Sequence, residues 1–371
     1  MLTPRDESEM AEAVAGAAGP LRIVGGGTRT AGDAAGGEVL STVGLSGITL
    51  YEPGALTLVV RAGTPLAEVE AVLAAEGQRL PFEPMDHRPL LGTEGAPTIG
   101  GVVAANVSGP RRVQAGACRD SLIGVRFVDG TGTVIRNGGR VMKNVTGYDL
   151  VKLMAGSRGT LGVLTEVSFK VLPAAEAAAT VVIPGLGVPA AVAAMTKGLT
   201  SPYELTGAAH TPKGPDGSAV TLLRVDGFAE SVRYRSERIA ALVGGGATIE
   251  RDPERVAALW SWVRDARRFA GTAGDVWRVS VKPSDAVEVA ARLGEEGLLL
   301  DWGGGLVWAE VPPGTDRRAR LQGSPGHATR VRGTGGGIPA LPPEPAPVAA
   351  LSRGLRARFD PRGILNPGVM G

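Results

Sequence analysis

One cysteine, Cys118, occurs in the 371 residues. It excludes internal disulfides and any iron–sulfur cluster or cysteine-rich zinc site held by this chain alone. Histidine is almost as scarce: His87, His210 and His327 stand in three separate contexts, and no metal site is expected. No stretch of about 18 apolar residues occurs, so nothing reads as a membrane span. The first residues are acidic (Asp6, Glu7, Glu9, Glu12) and lack the basic start and apolar run of a signal peptide. The formal charge is only +2, too small to argue for nucleic acid or an anionic membrane surface. Together these absences favour the cytoplasm as the expected location.

Glycine is abundant, with 56 residues beside 27 prolines, in a chain that is 43% hydrophobic and 20% charged. That is a globular composition with many turns and close backbone approaches, long enough for two domains. Residues 1–173 mix strands and helices. Leu21–Val24 reads as a strand entering the turn Gly25-Gly26-Gly27, and Leu58–Arg61 as another. Thr64 suits a helix N-cap, with Pro65 at the first helical position and Gly77 as the stop. Val125–Val128 and Thr133–Ile135 flank Asp129-Gly130-Thr131-Gly132 as a hairpin. From Val163 to Val171 apolar and polar residues alternate as in a strand. Residues 174–340 alternate strand-like runs (Ala219–Val225, Val276–Val281, Leu298–Trp302, Leu306–Val311) with helix-like ones (Ala190–Leu199, Ser231–Val243, Pro253–Phe269, Ser284–Leu293). All five tryptophans lie here; core packing explains them, and so would a substrate or partner surface. Residues 341–371 begin in a proline-rich linker, continue as a helix over Pro347–Phe359 and end in a rigid Pro/Gly tail.

Three glycine clusters carry the chemistry. Gly25-Gly26-Gly27-Thr28 after a strand lets backbone N–H groups close on a phosphate. It is neither a Walker loop nor a dinucleotide fingerprint, since Thr30 stands where the last glycine belongs. Thr98-Ile99-Gly100-Gly101 permits close approach to a flat ligand, and Asn106 and Ser108 offer hydrogen bonds. Gly156-Ser157-Arg158-Gly159-Thr160-Leu161-Gly162-Val163 passes close to a ligand just before a strand. Each cluster alone is as readily structural.

Their order and spacing resemble the vanillyl-alcohol-oxidase, or PCMH-type, flavin domain, together with the step Arg119-Asp120-Ser121-Leu122-Ile123-Gly124 and the tail Phe359–Gly368. The resemblance covers residues 20–173 and 355–368. It implies an α+β chain: a two-subdomain FAD domain, an α+β cap with an antiparallel sheet, and a C-terminal segment that returns to the FAD domain. It implies FAD contacts from Gly25, Gly26, Gly27, Thr28, Pro84, Thr98, Gly100, Gly101, Ser108, Gly156, Gly159, Thr160, Gly162, Val163 and Asn366. Further stretches, among them Phe82-Glu83-Pro84, Gly139–Asp149, Asp301-Trp302-Gly303-Gly304 and Gly326-His327-Ala328-Thr329, are similar to the E-subunit family of bacterial glycolate oxidases. That likeness implies oxidation of glycolate to glyoxylate beside a second flavoprotein subunit and an iron–sulfur subunit. Any membrane association would come through those partners.

Two departures shape the expectation. Many members of the family attach FAD to a histidine beside the glycine loop. Here Thr28 and Arg29 stand there, so FAD is expected to be noncovalent, with Cys118 as either another attachment point or a small buried residue. The hydroxy-acid-oxidising relatives carry a Gly-Asn-x-His motif in the cap, and none occurs here. On that departure the chain is expected to lack a full substrate site of its own. His327 is the candidate catalytic base, or a hydrogen-bonded structural histidine. His87 reads as a loop residue. Arg111 and Arg112 read as binders of phosphate, carboxylate or a partner, or as a solvated pair. Lys143 and Asn144 are candidates to approach the flavin. A free-standing 2-hydroxy acid dehydrogenase and a non-catalytic flavin-fold scaffold remain alternatives.

Overall fold

The alternating segment from Val163 marks the middle of the first sheet. In the computed structural model, which describes residues 1–29, 36–139, 147–294, 297–321, 323, 326–333 and 337–370, Val163–Lys170 is the third of five antiparallel strands. Their order is Ile48–Glu52, Thr57–Arg61, Val163–Lys170, Leu122–Val128, Val134–Gly138. Val167 and Phe169 are fully buried, while Glu166 and Lys170 are only partly so. The hairpin forms where the spacing predicts it, with Val128 opposite Val134. The Asp129 carboxylate accepts from the Thr131 and Thr133 amides at 2.9 and 3.0 Å and closes the turn.

The helix after Thr57–Arg61 departs from expectation at its start. It spans Leu66–Ala75, and Pro65 occupies the cap position. The Thr64 hydroxyl is spent elsewhere: it donates to the Arg61 carbonyl at 2.7 Å and accepts from the Gly47 amide at 2.9 Å. Thr64 is buried, and a buried loop carbonyl needs a donor more than an accessible helix end does.

Near the N-terminus, Asp6 caps the helix Glu7–Ala15. Leu21–Val24 pairs in parallel with Glu38–Ser41. The tail runs along the same strand: the Leu21 amide donates to the Ile364 carbonyl at 2.7 Å, and the Asn366 amide to the Leu21 carbonyl at 3.0 Å. Ile364 and Leu365 thereby share a small core with Met10, Val14 and Leu21.

The second sheet has eight antiparallel strands, in the order Thr248–Glu250, Ala177–Pro184, Val220–Gly227, Gly207–Thr211, Leu298–Asp301, Leu306–Val311, Asp275–Val281, Gly326–Arg332. Gly207–Thr211 escapes sequence reading because its alanines lack the branched side chains that mark strands, and Ala177–Pro184 because its run Thr180–Ile183 is short and sits between alanines and a proline. The stretch Pro253–Phe269 is not one helix. It is helical to Arg264, Ala266 turns left-handed at φ 47°, and Arg267–Phe269 is a 3-10 turn. The cause is Asp265 at the break, whose carboxylate accepts from the Asp86 amide of the first part at 3.0 Å.

The alternation of this sheet assigns its two faces. Trp277, Val279, Val307, Ala309 and Leu223 pack with residues of the helices Val188–Leu199, Ala229–Val243 and Ala286–Leu293. Val276, Leu299, Leu306, Trp308 and Leu222 belong instead to the core that also contains Leu58, Phe82 and Phe169. The two sheets therefore share one core. Trp260, Trp277, Trp302 and Trp308 are buried, as the core reading requires.

A buried ion network crosses the same contact. Glu83 receives Arg224 at 2.9 and 2.8 Å and the Arg111 Nε at 3.1 Å. Arg111 also pairs with Asp226. Arg111 is thus neither a solvated residue nor a free ligand contact, because two carboxylates take its charge. Burial raises the Glu83 carboxyl, but the two guanidiniums and their hydrogen bonds outweigh it and leave Glu83 at about 2. Glu83→Ala should cost about 3 kcal/mol or more, because it strands the buried Arg224 charge. A folded value below the ordinary 4.5 gives stability that is complete above pH 4.5 and is lost as pH falls toward 2. Melting temperatures of Glu83→Gln should accordingly fall less steeply than those of the parent below pH 4.5. Parallel curves would show that this carboxylate does not contribute.

Candidate functional site

The strand Leu21–Val24 delivers the chain to Gly25-Gly26-Gly27, where it lines a cleft of about 330 Å³, within the roughly 300–1,000 Å³ of small-molecule sites. Thr28, Thr98, Gly100, Gly101, Gly159, Gly162 and Asn366 also line it. Clusters far apart in sequence thus meet in one place. Gly26 is needed for a different reason than phosphate clearance: a Cβ there would run into the Ala96 carbonyl. The glycine turn is packed directly onto the segment that leads to Thr98.

The helix Ile99–Ala104 is capped by the Thr98 hydroxyl, which accepts from the Gly101 amide at 3.3 Å. The Arg158 amide donates to the Ala104 carbonyl at 2.8 Å, bringing in the third cluster. The Asn366 side chain closes the arrangement. Its oxygen accepts from the Ile23 amide at 2.8 Å, and its nitrogen donates to the Arg158 carbonyl at 2.8 Å. Arg158 is held at φ 54°, a left-handed conformation that costs a non-glycine residue about 1 kcal/mol.

Five of the predicted FAD contacts do not line the cleft, nor does Asn106. Pro84 and Val163 are buried away from it. The Ser108 hydroxyl accepts from the Cys118 amide at 3.0 Å, and Asn106 accepts from the Arg119 amide at 3.1 Å, so both hold their own loop. Gly156 donates to the Val103 carbonyl, and the Thr160 hydroxyl donates to the Ser157 carbonyl. His327 is exposed on the edge strand Gly326–Arg332, opposite Ser280. Burial of part of its ring, then Arg278 and Arg112, hold its pKa below the ordinary value. Cys118 is fully buried, and burial pushes its thiol up. Lys143 and Asn144 lie outside the described residues.

Sequence reading missed the charge of the cleft. Among the described residues, Arg22, Arg29 and Arg158 line it and no carboxylate does. The Arg29 Nε donates to His87 Nδ1 at 3.3 Å. Burial and the Arg29 charge depress His87 to about 3, so it is neutral near pH 7 and free to accept that bond. His87 is therefore more than a loop residue, since it orients Arg29. The available signal was position: Arg29 stands two residues after the glycine turn, and Arg158 stands inside a glycine cluster.

Comparison with known proteins decides the family. A model of the FAD binding domain matches residues 1–138. Glycolate oxidase subunit GlcE of Escherichia coli (strain K12) is 36% identical over 337 residues, 90% of this chain and 87% of that one. The chain belongs to the GlcE family of FAD-binding oxidoreductases. Glycolate oxidase subunit GlcD of Bacillus subtilis (strain 168) is 29% identical over 247 residues, 65% of this chain and half of that protein. Among solved structures, an alkyldihydroxyacetonephosphate synthase superposes with a TM-score of 0.72 over 98% of this chain and 75% of its own, at 16% identity. That match speaks to the fold alone. Both GlcE membership and the fold accord with a PCMH-type FAD domain carrying an antiparallel cap.

Asn366→Ala removes the partner of both the Ile23 amide and the Arg158 carbonyl. FAD affinity should fall about tenfold, as expected for one or two lost hydrogen bonds, measured by retention of flavin on ultrafiltration. Parent-like retention would show that the tail does not shape the cleft for the cofactor.

Proposed function

We propose that this protein is the FAD-binding subunit of a hydroxy-acid oxidase that converts glycolate to glyoxylate and passes electrons to partner chains. The observation that carries the reading is the cleft itself: three glycine clusters and the tail converge on a groove that, among the described residues, has three arginines and no acid. Such a groove fits a dianionic pyrophosphate flanked by flat, largely apolar ring systems. On this reading the backbone of Gly25–Thr28 takes the pyrophosphate, with Arg29, oriented by His87, contributing charge. The segment Gly156–Val163, with Thr98, Gly100 and Gly101, lies against the rest of the cofactor. Asn366 fixes the two walls relative to each other.

When bound, FAD supplies the two-electron acceptor for hydride from the carbon bearing the hydroxyl. The chain supplies position and charge. Cys118 is sealed in the core and no histidine stands beside the glycine turn, so the cofactor is held without a covalent bond. Acid precipitation should release all of the yellow colour to the supernatant; flavin remaining with the pellet would contradict this.

The partnership reading rests on two features. Among the described residues no three His, Cys, Asp or Glu side chains gather to hold a metal, and no helix is long and apolar enough to cross a membrane. A second flavoprotein subunit and an iron–sulfur subunit would supply the onward path of electrons, in the cytoplasm or at the inner face of the membrane through those partners. Purified alone, the chain should give little glycolate-dependent dye reduction, and addition of the partner subunits should restore it.

A self-sufficient dehydrogenase is the second reading, favoured by one observation. Burial of part of its ring, then Arg278 and Arg112, hold the pKa of His327 below the ordinary value and favour the neutral ring that a general base needs. Brisk turnover by the single chain, abolished in His327→Ala with flavin still bound, would establish this reading in place of the first.

A further inference from the structure

Most buried arginines of the protein are spent on carboxylates or carbonyls. Arg111 and Arg224 hold Glu83, and Arg332 donates to the Leu90, Phe269 and Gly274 carbonyls. Three partly buried arginines that gather in one region differ. Among the described residues, the side chains of Arg112, Arg158 and Arg278 make no hydrogen bond and no ion pair.

Their placement follows from the fold. Arg278 stands opposite Trp308 and Thr329 in the eight-stranded sheet. It therefore projects from the face that Trp308 turns toward the first part of the chain, and His327, opposite Ser280, stands on that face too. Arg112 opens the short helix Arg112–Ala115 on the other side of the contact. Both guanidiniums lie against the indole of Trp302, 4.6 Å from its centroid for Arg112 and 5.1 Å for Arg278. Trp302 is itself fixed, because its Nε1 donates to the Gly109 carbonyl at 3.0 Å. Arg158 lines the cleft.

Gathering like charges away from water opposes folding unless something answers them. The cost is visible at Arg278: burial lowers it to about 10, and Arg112 and then Arg158 push the same way. Trp302 offers its π face to two cations but carries no charge. The carboxyl nearest in sequence, Asp301, is buried and pushed up to about 7, and its oxygen accepts from the Trp302 amide at 2.7 Å. It is committed to the turn rather than to the arginines. The missing complement is a small anion, and a guanidinium fork matches a carboxylate in plane and spacing.

We propose that Arg278 and Arg112, seated on Trp302 and backed by Arg158, bind the carboxylate of a small 2-hydroxy acid beside the cleft. The choice of a hydroxy acid rests on the FAD-oxidase reading above; the anion site rests on the unanswered arginines. Arg158 joins the two, since it lines the cleft and its charge reaches Arg278. In this arrangement the carboxylate is anchored from both sides of the shared contact. His327 then stands on the same sheet face as the anchor, where the hydroxyl end of so small a molecule must also lie.

Calorimetric titration of the purified chain tests this without turnover, and each sample's flavin content is read from its absorption spectrum. Glycolate should bind, uncharged glycolamide should not, and inorganic phosphate should bind more weakly than glycolate. Arg278→Gln and, separately, the less critical Arg112→Gln should weaken glycolate at least about tenfold with flavin content unchanged. Arg278→Lys should recover only part of the loss, because an ammonium lacks the planar fork. Equal binding of glycolate and glycolamide, phosphate binding in preference to glycolate, or parent-like glycolate affinity in Arg112→Gln and Arg278→Gln would each overturn the proposal. A chain that takes up no FAD even when it is added in excess, yet binds glycolate with these preferences, would leave the anion site standing while removing the FAD-oxidase reading.

Discussion

The side chain of Asn366 bridges the Ile23 amide and the Arg158 carbonyl, partners separated from it by 343 and 208 positions in the sequence. An amide can do this because it carries a donor and an acceptor on one rigid plane. The consequence is geometric. The strand that feeds the glycine turn, the loop that carries Gly159 and the C-terminal tail are held at one fixed separation, and that separation is the width of the cleft. A Cβ at Gly159 would come within 2.7 Å of the Asn366 side-chain nitrogen, so the glycine and the amide require each other. The dense Pro/Gly chemistry after Phe359 follows from the same constraint. The Asp360 carboxylate accepts from the Leu365 amide at 2.7 Å and shapes the last turn before Asn366.

The second constraint acts between the sheets. One face of the eight-stranded sheet is clothed by helices; the other joins the core of the first part. Burying that face leaves the charged residues on it no choice but to pair across the contact or to face a shared space. Arg224 pairs with Glu83, which therefore works as a dowel between the two halves. Arg278, on the same face, lies against Trp302 and makes no ion pair, with Asp301 acting on it only through space.

The fold was legible where periodicity and turn chemistry agreed. The Val163–Lys170 strand, the Asp129–Gly132 hairpin and most elements after residue 186 fall near their predicted places because apolar spacing alone decides them. Gly207–Thr211 was illegible because its two alanines carry no strand signature, and Ala177–Pro184 because only Thr180–Ile183 carries one, too short a run to stand out. The cleft was legible as three glycine clusters, since a glycine that permits close backbone approach leaves a mark in sequence. Which neighbours of those glycines face inward was not. Ser108 and Thr160 bind their own loops, while Arg22 and Arg158 line the groove, and only the folded backbone distinguishes them. Thr64 failed as a cap for a related reason, because a local carbonyl competed for its hydroxyl.

Arg111 and Arg112 show how pairing separates structure from recognition. The two are adjacent, carry the same charge and are indistinguishable in sequence. Arg111 is answered by Glu83 and Asp226, so its charge is consumed in joining the two sheets. Arg112 lies against an aromatic face and makes no ion pair, in the company of Arg278. A protein in which Arg111, Arg224 and Arg264 all meet carboxylates has acids enough for its structural arginines. The shortfall falls on Arg112, Arg158 and Arg278, beside a cleft that no acid lines among the described residues. Charge left over in a folded chain costs stability, and it persists where a ligand of opposite sign completes it.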